Sequence, residues 1–156
     1  MIDRHREAQP DHSYTLTFRS ATTFRSNGVI TPLPRPDLVF GSLLNRWIAF
    51  TSHRLRDLPD DQLTVFLMHH LIIAGYQTET AQYKGKQGVS EVGFTGTVTF
   101  DVLRVSEHLH KREAAIEMAQ RRDYVWFART VSLLADFAYY SGVGRKATKG
   151  MGMVWR

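Results

Sequence analysis

Cysteine is absent from this chain of 156 residues. Its absence excludes a disulfide scaffold, a thiolate zinc site and a cysteine nucleophile. No run is long and apolar enough to span a bilayer, so no membrane partner is expected. The first residues carry Asp3, Arg4, Arg6 and Glu7 and lack an apolar core, so they do not read as a secretory signal. The default compartment is therefore cytoplasmic. No His-Glu-x-x-His segment is present to support zinc hydrolase chemistry, and no Gly-x-Ser-x-Gly to support a nucleophile elbow. Acidic residues are the scarcer charge, with 15 Asp and Glu against 20 Lys and Arg. The net charge of +5 favours polyanionic partners such as nucleic acid or anionic membranes.

What is present suits one globular domain. Hydrophobic residues make up 43% and charged residues 22%, enough to build a core without staples. Residues 1–13 are polar and read as a leader or the remains of a linker, and residues 14–156 read as the domain. Tyr14, Leu16 and Phe18 alternate and predict a first strand. Asn27, Gly28, Pro32, Pro34 and Pro36 predict an extended loop after it. Asp37 can cap or favour the first turn of a helix carrying Phe40, Leu43, Leu44, Trp47 and Ile48. A second helical segment opens near Asp60 and Asp61 and runs through Leu63, Phe66 and Leu67.

A strand is expected over 71–83, with a hairpin tip over 84–88 and a return strand over 91–100. Gly93 and Gly96 in the return strand suit a bulge or the close approach of another backbone. Residues 106–122 are charged and read as helical or as an inserted loop. A clearer helix spans 123–140, with Phe127, Val131, Leu134 and Ala138 on one stripe, widened by Val125, Leu133 and Phe137. It stops at Gly142, and a short strand over 151–156 closes the chain. This order predicts an α+β, ferredoxin-like (RRM-like) sandwich with helices on one face of an antiparallel sheet.

The sharpest signal is the run from Gly142 to Gly152. Gly142, Gly144, Gly150 and Gly152 are interspersed there with Arg145, Lys146 and Lys149. Glycine allows close approach and positive φ, exposed amides can bind phosphate oxygens, and the cations add charge. The run is not a Walker A loop, because Met151 follows Gly150 and the helix precedes the strand. The dinucleotide fingerprint fails for the same reason of order. An ordinary helix cap needs one glycine, and four glycines among three cations go beyond it.

The segment 133–152, with its helix rich in Leu, Phe and Ala entering this loop, resembles the end of the CRISPR-associated repeat-RNA endoribonucleases. Residues 18–25, 33–47 and 93–100 resemble that family's first strand and turn, first helix and hairpin return strand, in the same order. The resemblance implies RNA binding and a part in metal-independent processing of precursor CRISPR RNA. In that family the ribose 2′-hydroxyl attacks the adjacent phosphate, leaving a cyclic phosphate and a 5′-hydroxyl. A histidine often acts as general acid or base. Family members usually carry two ferredoxin-like folds, and this chain resembles the second. The fold that often supplies the histidine is not matched. The chain then reads as a truncation, half of a split enzyme, an internally started product or a reduced homologue.

The expected RNA contacts are Gly142, Gly144, Arg145, Lys146, Lys149, Gly150 and Gly152, with Lys84 and Lys86 at the hairpin tip. Arg25, Arg121 and Arg122 could extend the track. Tyr139, Tyr140 and Trp155 could stack on bases, but core packing is the stronger expectation for them. None of the seven histidines is assigned a catalytic role. No metal or cofactor is expected. A non-catalytic RNA-binding subunit of an effector assembly is the alternative, and a ferredoxin-like domain unrelated to RNA is disfavoured by the loop cations. An open sheet edge would favour pairing with a partner fold, an effector subunit or a second copy.

Overall fold

The computed structural model describes residues 11–50, 60–85, 88, 90–103 and 111–156, without the side chains of 60–62, 65 and 111–123. The strands are β1 (Ser13–Thr22), β2 (Phe24–Ser26), β3 (Val29–Thr31), β4 (Leu71–Lys84), β5 (Ser90–Val102) and β6 (Val154–Trp155). The helices are α1 (Pro36–Phe50), α2 (Asp60–His70) and α3 (Lys111–Ser141). One four-stranded sheet has the order β4-β5-β1-β6, and every neighbouring pair is antiparallel. A second, two-stranded sheet pairs β2 with β3.

The main sheet follows from alternation. Tyr14, Leu16 and Phe18 of β1 are buried, and so are Phe94, Val98, Phe100 and Val102 of β5. These side chains face the helices, because residues two apart on a strand share a face. The opposite face carries threonines, and Thr15 Oγ1 meets Thr99 Oγ1 at 3.0 Å. The register between β1 and β5 shifts between Phe18 and Thr22. Gly93 and Gly96 flank that region, and both are required by close approach. A Cβ on Gly93 would lie 2.7 Å from the Thr22 carbonyl oxygen. A Cβ on Gly96 would collide with the Gln77 carbonyl of β4.

In α1, Pro36 takes the first helical position, where its missing N–H costs nothing. Asp37 therefore sits in the first turn rather than at the cap. Arg35 grips its carboxylate, with Nε at 3.1 Å and Nη2 at 2.7 Å. Val39, Phe40, Leu43, Leu44 and Trp47 form the buried face, whereas Ile48 is left exposed. Phe40 meets Phe100 of the sheet edge to face at 5.3 Å. Burying such a side chain stabilises by about 1.5–3 kcal/mol. In α2, Leu63, Phe66 and Leu67 join the same core, and His70 is buried with its ring stacked on Phe66.

Helix α3 begins at Lys111, well before the expected start near Asp123. Phe127, Val131, Leu134 and Ala138 are buried as the stripe predicts, but Val125 is exposed. No helix among the described residues is long and apolar enough to cross a membrane.

Two further segments differ from expectation. The loop expected after the first strand contains a hairpin, because Asn27 and Gly28 both take positive φ (50° and 81°) between β2 and β3. Two such residues are what a tight primed hairpin turn requires. The closing strand is only two residues long, because Met151 and Gly152 are held in the preceding loop.

Candidate nucleic-acid interface

Helix α3 ends where Gly142 turns left-handed at φ 66°, its N–H donating to Ala138 O at 2.9 Å. The loop then doubles back on itself and on the body. Val143 is buried, and its N–H donates to Gly152 O at 2.8 Å. Arg145 N–H donates to Thr23 O at 2.9 Å, and Gly152 N–H to Ala21 O at 3.1 Å. Gly144 N–H donates to Ser42 Oγ at 3.2 Å. Arg46 of α1 reaches across, donating to Ser141 O at 2.6 Å and also to Gly144 O. Beyond this anchor, Ala147–Lys149 form one 3-10 turn, and the Gly150 N–H closes it on Ala147 O at 3.1 Å.

The glycines therefore serve the loop's own packing. A Cβ on Gly144 would lie 2.5 Å from the Thr23 carbonyl oxygen, and one on Gly152 would overlap the Val143 backbone. Gly150 has open space around it and needs only its positive φ of 86°. The amides of Gly142, Gly144, Arg145, Gly150 and Gly152 all donate to partners within the protein. The expected cradle of exposed amides does not form from these five groups. The loop presents its cationic side chains instead.

Those side chains meet the β4–β5 hairpin. Arg145 and Lys146 both contact the carboxylate of Glu91 on β5, Arg145 Nη1 at 3.4 Å from Oε2 and Lys146 Nζ against Oε1. Tyr83 of β4, opposite Glu91 in the ladder, donates its hydroxyl to Lys149 O at 3.1 Å. Lys149 itself is exposed, as are Lys84 at the end of β4 and Arg25 on β2. Lys146 holds φ 55°, a left-handed conformation that costs a non-glycine residue roughly 1 kcal/mol.

Hydrogen bonding from Lys146, with the charges of Arg145, Lys146 and Arg25, holds the Glu91 carboxyl below its ordinary range against the opposing effect of burial. Glu91 is thus an anion at neutral pH, set among Arg25, Arg145 and Lys146. Burial lowers the Arg46 guanidinium from its usual range.

The structure brings together most of the expected contacts. Gly142, Gly144, Arg145, Lys146, Lys149, Gly150 and Gly152 form one loop, joined to the end of β4 that carries Lys84. Lys86 lies outside the described residues. Arg121 and Arg122 lie on α3, and their side chains are outside the description as well. Glu91, Tyr83, Ser42 and Arg46 were not anticipated. Each had at most a faint signal: Arg46 is the one charged residue between Phe40 and Phe50, and Glu91 the one acidic residue between Glu79 and Asp101.

The aromatic residues expected in the core are outside it, with Tyr139 59%, Tyr140 71% and Trp155 49% exposed. The Arg19 guanidinium lies over the Trp155 ring, 4.9 Å from its centroid. Among the described residues no group of three or more His, Asp or Glu side chains is placed to hold a metal ion.

A sheet of order β4-β5-β1-β6 with its helices packed against one face, entered and left through β1 and β6, is the ferredoxin-like fold. The family profile described as CRISPR-associated endoribonuclease Cas6 matches residues 16–154, and the chain belongs to that family. The Mycobacterium tuberculosis Cas6 endoribonuclease is 27% identical over 149 residues, covering 94% of this chain and 40% of that protein. The Streptococcus thermophilus Cas6 endoribonuclease is 25% identical over 140 residues, covering 89% of this chain and 48% of that protein.

Among solved structures, Thermus thermophilus Cas6 superposes with a TM-score of 0.76 at 26% identity, over 97% of this chain and 56% of that one. A Cas6 in complex with a substrate mimic gives 0.72 at 28% identity, again over 97% and 56%. The chain spans less than half the length of the Mycobacterium tuberculosis and Streptococcus thermophilus proteins.

Proposed function

We propose that this chain binds the repeat of precursor CRISPR RNA and contributes to its metal-independent endonucleolytic processing. One observation carries the reading: in a Cas6-family fold, the glycine-rich loop gathers Arg145, Lys146 and Lys149 beside the β4–β5 hairpin, where Glu91 holds the first two in place. Rigid placement matters because flexible cations lose side-chain entropy on binding phosphate. The contacts would run mainly to backbone oxygens, since the deep major groove of A-form RNA resists side-chain reading. Gly142, Gly144, Gly150 and Gly152 act by shaping the loop.

The alternative is an RNA-binding subunit that holds the repeat without cutting it. No histidine among the described residues is placed in this cationic cluster.

Labelled repeat RNA incubated with the chain alone, in EDTA, separates these readings. Cleavage to a cyclic phosphate end means that this fold carries its own catalytic groups. Binding without cleavage supports the holding role, with chemistry supplied by a partner fold or effector subunit. Failure to bind at low salt removes the RNA reading altogether.

A further inference from the structure

A phosphate-binding surface gains nothing directly from a carboxylate, yet Glu91 sits at the centre of this one. Its side chain is 10% exposed and touches both Arg145 and Lys146. These are two of the three cations that the loop carries. A carboxylate presents two acceptor oxygens, as do the non-bridging oxygens of a phosphodiester, and both classes of anion are bound by the same donors. The occupant of the Arg145–Lys146 pair in the free protein therefore has the charge and shape of the ligand that the pair would bind.

We propose that Glu91 is an internal counter-anion that an RNA phosphate must displace, or with which it must share Arg145 and Lys146. The inference rests on the RNA-binding reading above. Glu91 is fixed on β5 one residue from the hairpin-closing pair Lys84 and Ser90, so it is a tethered competitor with a high effective concentration. An isolated anion competes poorly against it. A nucleic-acid backbone that also engages Lys149 and Arg25 gains enough elsewhere to overcome it. Glu91 thus raises selectivity for an extended polyanion and lowers affinity for short or weakly charged ones.

Fluorescent repeat RNA titrated at several salt concentrations tests this with the wild-type chain and Glu91→Gln. Gln keeps the shape and one acceptor oxygen but removes the charge. Glu91→Gln is expected to tighten binding by about three- to tenfold at 0.15 M salt and to steepen the salt dependence by up to about one unit of slope. In the Arg145→Ala/Lys146→Ala background the same substitution is expected to change affinity less than about twofold, since the two effects should be strongly coupled.

Carboxyl 13C spectra of the wild-type chain give an independent readout, in which the Glu91 signal should move when RNA is added. Wild-type binding that Glu91→Gln leaves unchanged or weakens, or a Glu91 signal indifferent to bound RNA, overturns the counter-anion role and leaves the RNA reading intact. Absence of binding by both proteins overturns the two together.

Discussion

Gly152 holds φ 67° with the Val143 backbone packed where a side chain would begin. Gly150, two residues earlier, has φ 86° and empty space around it. The same substitution should therefore have different costs. Gly150→Ala should lose about 1–2 kcal/mol, the ordinary penalty for left-handed backbone. Gly152→Ala adds a backbone collision and should lose at least about 3 kcal/mol. Urea denaturation of the two variants checks the difference, and equal losses would contradict the packing described.

Tyr14 offers a test at the same scale. Burial raises its pKa to about 12, with its hydroxyl donating to the Asp11 carbonyl. The unfolded chain releases this proton near 10, before the folded chain does. The neutral tyrosine's contribution is complete below pH 10 and is lost as pH rises towards 12. The loss should approach about 2–3 kcal/mol. Tyr14→Phe should flatten that alkaline limb in a denaturation series, whatever it does to stability at neutral pH.

At the scale of elements, the loop between α3 and β6 is ordered by its neighbours rather than by itself. Its carbonyls at Ser141 and Gly144 are held by Arg46 from α1, and its amides at Arg145 and Gly152 by the end of β1 and the residue after it. The hairpin adds Glu91 and Tyr83. Arg46→Ala leaves two carbonyls without their charged donor and should cost about 1.5–3 kcal/mol in chemical denaturation. Arg46→Lys should recover only part of it, because an ammonium cannot span both acceptors as the planar guanidinium does. Full rescue by Lys would show that charge alone, not the fork, matters.

Most elements were legible because their signals are local. The alternation of β1, the stripe of α3 and the apolar face of α1 were all readable. The β2–β3 hairpin was missed because prolines masked the paired turn residues Asn27 and Gly28. Val125 and Ile48 were placed on apolar faces that the neighbouring elements do not reach.

For the whole molecule, the net charge of +5 says only that a polyanion is favoured. The fold decides where the charge acts, by bringing residues 84, 91 and 145–149 to one end of the sheet. Replacing Arg145, Lys146 and Lys149 together with Ala should weaken binding of repeat RNA by at least about tenfold near physiological salt. It should also flatten the salt dependence by about two to three units, because fewer counterions are released. A folded triple variant with unchanged affinity and slope would remove the loop from the interface.

The sequence by itself determined the class of fold, the position of the cationic glycine loop and the family resemblance. These depend on periodicity, turn residues and short motifs that lie within one stretch of chain. Only the tertiary structure decided that the glycine amides turn inward, that Tyr139, Tyr140 and Trp155 remain exposed, and that Glu91 holds two of the loop's cations. Each depends on residues far apart in sequence meeting across the sheet and helices. The spacing of residues along the chain carries no record of which distant backbone will fill the space beside a glycine or a lysine.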